Sequence, residues 1–128
     1  LMDTTQKCLE DAVSEVRPNN RLGDVGAAVQ RRAESEGFGV VRDFVGHGIG
    51  RSLHEDPQVP NYGVPGRGQV MKPGLVIAIE PMITAGSWRV KIDDDGWTAR
   101  TEDGRIAAHF EFSVAVTENG ARVLGVEE

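Results

Sequence analysis

Lys72-Pro73-Gly74 followed by Leu75-Val76-Ile77-Ala78-Ile79-Glu80-Pro81 is the stretch that decides the fold. A Pro-Gly turn feeds a run of aliphatic, largely β-branched residues that a proline closes, which predicts a strand over Leu75 to Glu80. Alternation places Leu75, Ile77 and Ile79 on one face and Val76, Ala78 and Glu80 on the other. The carboxylate is the anomaly. Desolvating its charge costs several kcal/mol unless something pairs with it.

A second run, Phe110-Glu111-Phe112-Ser113-Val114-Ala115-Val116, repeats the pattern. Phe110, Phe112, Val114 and Val116 share one face, while His109, Glu111, Ser113 and Ala115 share the other. Both glutamates thus have mainly small neighbours, which leave room for an ion and a substrate where a packed core would fill the volume. A third polar group, His47, lies within Gly46-His47-Gly48-Ile49-Gly50-Arg51. Two carboxylates and a glycine-flanked imidazole make a divalent-metal site with oxygen and nitrogen donors and no thiolate. The plainer alternative is that both faces are solvated, as in antiparallel sheets wet on one side. The glycines have two readings as well: a bulge or tight bend, or a backbone drawn close to a ligand. They do not make a nucleotide loop, because no Lys-Ser/Thr follows and no helix begins behind them.

Upstream, Leu9, Ala12, Val13 and Val16 recur at helical spacing until Pro18-Asn19-Asn20 closes the segment. A second helix starts at Leu22, with Leu22, Val25, Ala28, Val29 and Ala33 on one face and Gly37 as its stop. Phe38 to Val45 reads as a strand, and Arg51 to Gln69, with Pro57, Pro60 and Pro65, as a long polar loop. Asp95-Gly96, Asp103-Gly104 and Asn119-Gly120 are hairpin turn dipeptides. Two helices followed by a strongly bent antiparallel sheet make the fold class α+β, with 1–128 as one domain.

With 128 residues the chain is long enough to bury a core. A formal charge of −6 argues against nucleic acid as the main ligand. Cys8 is the single cysteine, so no internal disulfide forms and a reducing cytoplasm is the simpler setting. No run of about 18 apolar residues and no signal peptide is present, so no membrane partner is expected. The start at Leu1-Met2, already helical in pattern, reads as the middle of a longer protein or as an expression boundary.

The string from Gly46 through Arg51-Ser52-Leu53-His54-Glu55-Asp56-Pro57-Gln58-Val59 closely resembles methionine aminopeptidases of type I. So do Lys72-Pro73-Gly74, Ile79-Glu80-Pro81-Met82, Asp95-Gly96-Trp97-Thr98 and Ala108-His109-Phe110-Glu111, five motifs in the family's order over nearly the whole chain. The resemblance implies the C-terminal half of a pita-bread fold, in which two pseudo-symmetric α+β halves embrace a dinuclear metal centre. It implies His47, Glu80 and Glu111 as metal ligands, with Glu80 also handling the proton of the attacking water. His54 matches the histidine that stabilises the scissile carbonyl oxygen. Phe44, Val45, Leu53 and Trp97 fall at positions lining the methionine side-chain pocket. The implied cofactors are divalent Mn, Fe, Co or Zn, and the implied partners are peptide or nascent-protein N-termini that start with Met.

Three departures matter. The family's two aspartate ligands, on a hairpin of the N-terminal half, have no matching segment here, and Asp93-Asp94-Asp95 reads as a solvated turn rather than a replacement. The other catalytic histidine of that half is also missing. Phe112 follows Glu111 where a polar residue is more usual. The chain therefore carries three of the family's five ligands and is expected to be inactive or nearly so alone. Two alternatives go with that expectation: self-association, with a second copy or an N-terminal half-domain covering the open half-sheet, and a binding module without metal. Retention of His47, Glu80 and Glu111 argues against the last.

Overall fold

The computed structural model describes the chain except residues 43–44, 53–54, 87–88, 93–98, 102–106 and 125–128, and the side chains at 90–92, 99–101 and 107. Helix α1 spans Met2–Ser14 and helix α2 spans Leu22–Ser35. The helices pack through Cys8, Leu9, Ala12 and Val16 against Val25, Val29 and Ala33, the faces that their spacing predicts. The Cys8 thiol points at the Val29 carbonyl, 3.5 Å away. Asp24 holds the start of α2, its carboxylate accepting the backbone N–H of Arg21 at 2.7 Å. Gly37, at φ +82°, ends α2. There the N–H of Phe38 donates to Ala33 and that of Gly37 to Glu34, the paired bonds that a left-handed glycine permits. Among the described residues no helix is long and apolar enough to cross a membrane.

The strands are β1 (Gly39–Val40), β2 (Gly46–Gly48), β3 (Glu55–Val59), β4 (Val76–Ile79), β5 (Met82–Thr84), β6 (Val90–Ile92), β7 (Ala99–Thr101), β8 (Ala107–His109), β9 (Phe112–Thr117) and β10 (Gly120–Val123). They form a three-stranded sheet in the order β1-β5-β8, a five-stranded sheet β10-β9-β4-β2-β3 and the pair β6-β7. Among the described residues all pairings are antiparallel.

The two larger sheets are one bent surface. Three paths run from one to the other: β1 into β2, β4 into β5, and β8 into β9. The register is continuous through the bend, with Ile79 opposite Phe112 on one side and Met82 opposite His109 on the other. Pro81 lies in the bend, where it cannot donate to a ladder. Its carbonyl accepts the N–H of Phe110 at 3.4 Å. Ile77, Ile79, Val114 and Val116 turn inward and join the helices' core, and Leu75, Phe110 and Phe112 pack on it partly buried. The core face read from alternation is the one observed.

Three expectations need correction. Among the described residues of the stretch Phe38 to Val45, only Gly39–Val40 is strand, because the chain between β1 and β2 passes from one sheet to the other. The stretch Arg51 to Gln69 is not all loop: Glu55–Val59 is the edge strand β3. An edge tolerates Pro57 because one side of it needs no donors. Glu80 and Glu111 fall just outside β4 and β9 rather than within strands. The turn dipeptide Asn119-Gly120 joins β9 to β10. Asp95-Gly96 and Asp103-Gly104 lie outside the described residues.

Candidate metal centre

The bend brings together the three polar groups singled out in the sequence. His47 is central in β2 and directly opposite Ala78 of β4, so the two side chains share a face. Ala78 in turn faces Ser113. Two residues beyond Ala78, Glu80 returns to that face, and the unbroken register puts Glu111 opposite it. One donor atom from each of His47, Glu80 and Glu111 lies within 4.8 Å of the others.

His47 is oriented from behind. Its Nδ1 is 3.1 Å from the Gly48 carbonyl oxygen, which can only accept, so a proton on Nδ1 completes that bond. That leaves Nε2 facing Glu80 Oε2 at 3.1 Å, with the two side chains 14% and 19% exposed. The arrangement is the one a ligating imidazole needs: one nitrogen anchored to the backbone, the other turned toward the carboxylates.

Burial raises the Glu80 carboxyl above its ordinary range. A protonated Glu80 can donate to the neighbouring Glu111 carboxylate, and this and the Glu111 charge push it the same way, while His47 pulls it down. Two carboxylates held this close favour either a shared proton or a cation between them. Glu111 is exposed, so the cluster is reachable. Two carboxylate oxygens and one imidazole nitrogen suit borderline-hard divalent ions. The residues fit a metal.

The glycines around His47 answer the question left by their spacing. A bulge separates His47 from Gly48 in the pairing with β3. A Cβ on Gly46 would collide with the carbonyl oxygen of Ala78, and one on Gly48 with that of Asp56. Close approach of neighbouring strands requires these glycines.

Val45 is half-buried immediately before β2. Phe44, Leu53, His54 and Trp97 lie outside the described residues. Two residues at the site were not singled out by sequence. His109 Nε2 is 3.9 Å from Glu80 Oε1; its place on the same alternating face as Glu111 was the available signal. Asn61, buried at 1% exposure, donates from Nδ2 to the Glu80 carbonyl at 3.0 Å. Nothing in its local sequence marked it.

The model of metallopeptidase family M24 matches residues 1–118. The chain belongs to that family. Methionine aminopeptidase A of Synechocystis is 49% identical over 128 residues, covering all of this chain and 51% of that protein. Methionine aminopeptidase 1 of Bacillus subtilis is 48% identical over 124 residues, 97% of this chain and 50% of its own length. The chain thus spans about half the length of the curated relatives it matches. The solved methionine aminopeptidase of Thermotoga maritima superposes with a TM-score of 0.94 at 54% identity, over 98% of this chain and 50% of that one. The Rickettsia prowazekii enzyme gives 0.96 at 39% identity, over 98% and 51%. The M24 fold is therefore present as about one half. A prolidase of Pyrococcus horikoshii, 22% identical with a TM-score of 0.72, shares the fold.

Proposed function

We propose that residues 1–128 form the C-terminal domain of a methionine aminopeptidase, a metal-dependent hydrolase that removes Met from the N-termini of peptides and nascent proteins. The observation that carries this reading is the convergence of His47, Glu80 and Glu111 donor atoms within 4.8 Å. It is supported by relatives of that name at about half their length.

His47, Glu80 and Glu111 would hold the divalent ions, with Mn, Fe, Co or Zn all compatible with the donor set. When bound, such ions supply Lewis acidity at the scissile carbonyl and lower the pKa of a water nucleophile. The chain's own residues supply the rest. Glu80 accepts a proton at its carboxylate from the attacking water and returns it to the leaving amine nitrogen. His47 and Glu111 hold Glu80 in place from either side. His54 donates to the carbonyl oxygen of the bond being cut, and Phe44, Val45, Leu53 and Trp97 enclose the methionine side chain. An N-terminal half-domain, or failing that a second copy, covers the open face and contributes the remaining ligands. The single cysteine suits the cytoplasm.

Fusion of the N-terminal half of the Thermotoga maritima protein to this chain tests the reading. With Mn²⁺, the fusion should hydrolyse Met-Ala-Ser and lose that activity on Glu80→Ala, while the chain alone should not turn over. Full-level hydrolysis by the chain alone, or a folded, metal-loaded fusion without activity, would contradict it.

A further inference from the structure

Glu80 owes its place to a bend, and a bend leaves backbone groups outside the ladder. β4 and β9 last pair at Ile79 and Phe112. On the other side, β2 meets β4 at Ala78 and Ile77, short of Glu80. Pro81 then brings no N–H to the next position. The Glu80 carbonyl is instead met by the amide of Asn61, Nδ2 to O 3.0 Å.

Asn61 is 1% exposed, and losing the bond from its Nδ2 would leave the desolvation cost of the Glu80 carbonyl uncompensated. It follows β3, whose Val59 pairs with Gly46 beside His47 and is fully buried. The strand that braces His47 therefore also delivers the donor that fixes the peptide at Glu80.

We infer that Asn61 is a positioning residue of the metal centre, acting through the Glu80 backbone to aim the Glu80 carboxylate at His47 and Glu111. This rests on the reading of those three residues as ligands. Asn61 contributes no donor atom to the ion. It removes the freedom of the bend to rotate the carboxylate away, the part that groups behind metal ligands commonly play.

The test is a Co²⁺ titration of the whole chain, followed by calorimetry and by the visible absorption of the bound ion. Asn61→Leu keeps size and branching but removes the donor. Asn61→Asp keeps the shape with a carboxylate in place of the amide, and serves if the leucine variant fails to fold. Val29→Ala, in the helical core, controls for stability loss alone. We expect either Asn61 variant to weaken Co²⁺ binding about 10-fold to 100-fold and to alter its visible bands, with Val29→Ala changing neither at a temperature where it is folded. Wild-type affinity and spectrum in the Asn61 variants, or an equal loss in Val29→Ala, would overturn the inference while leaving the metal centre intact. If wild type and Glu80→Ala titrate alike, the metal centre itself fails and the inference falls with it.

Discussion

Glu80 and Glu111 take opposite places in the register where the sheet bends, with a carboxylate oxygen of each within 4.8 Å of the other. Like charges directly across a strand pair are ordinarily destabilising. Here the repulsion is concentrated beside an imidazole nitrogen 3.1 Å from Glu80. A divalent cation would relieve it. The conflict between folding and charge thus marks the site more clearly than any one residue does.

The first prediction concerns pH. The folded Glu80 carboxyl titrates above its ordinary range, mainly through burial and then through Glu111. A raised acid binds its proton more tightly in the folded state, so its stabilising contribution is complete below the unfolded carboxylate range. That contribution is lost as pH rises through the raised value. The metal-free Glu80→Gln chain should therefore melt higher than wild type at neutral pH and nearly equal to it in acid. Lower thermal stability of Glu80→Gln at neutral pH would count against the argument. Metal binding should weaken in acid, because the ion must displace the proton that the Glu80 carboxyl holds.

Gly46→Ala should be costly out of proportion to one methyl group. The new Cβ meets the Ala78 carbonyl oxygen, and the Val59 Cβ at 3.2 Å closes the way out. Overpacking of this kind costs about 1–3 kcal/mol. Urea unfolding should report a loss in that range, with metal affinity falling too because His47 is the next residue. A neutral substitution would mean that β2 can shift.

The helical layer should owe its stability to packing rather than to charge. Arg32 and Asp11 join the helices at 2.8 Å, but both side chains are more than a third exposed. Such a pair is worth about 0–1 kcal/mol. Leu9, fully buried between the helices and sheet, should cost about 2–5 kcal/mol when cut to alanine. Chemical denaturation of Asp11→Ala and Leu9→Ala compares them directly, and equal losses would refute the ranking.

Cys8 should be inert in the native chain. Burial, followed by the nearby Asp11 and Glu36 charges, pushes its thiol up to about 12. Almost no thiolate exists at neutral pH, and the sulfur has no exposed surface. Its rate of labelling by a disulfide reagent should follow unfolding. Rapid labelling under native conditions would show that α1 opens locally.

Much of this was legible in the sequence because alternation is a strict rule. Ile77, Ile79, Val114 and Val116 had to face one way, and so the side of Glu80 and Glu111 followed. Helical spacing marked the buried faces of α1 and α2, and Gly37 marked an end. What was not legible depended on pairing between distant segments. β3 looked like loop because Pro57 and its charged neighbours break every strand pattern, and only its edge position makes them tolerable. The crossings between β1 and β2, at 80–81 and at 110–111 are one bend, which no single segment reveals. Asn61 owes its significance to a carbonyl nineteen positions away, and His109 owes its significance to a partner across the same bend.

Calorimetric titration of the chelator-stripped chain with Mn²⁺, alongside His47→Ala, Glu80→Gln and Glu111→Gln, tests the central claim most directly. Saturable binding by wild type, lost or weakened about 100-fold or more in each variant, is the predicted result, since direct ligands should matter at least as much as the groups behind them. Binding that all three variants retain, or no saturable binding by the folded wild-type chain, would contradict the claim that these residues form a metal centre.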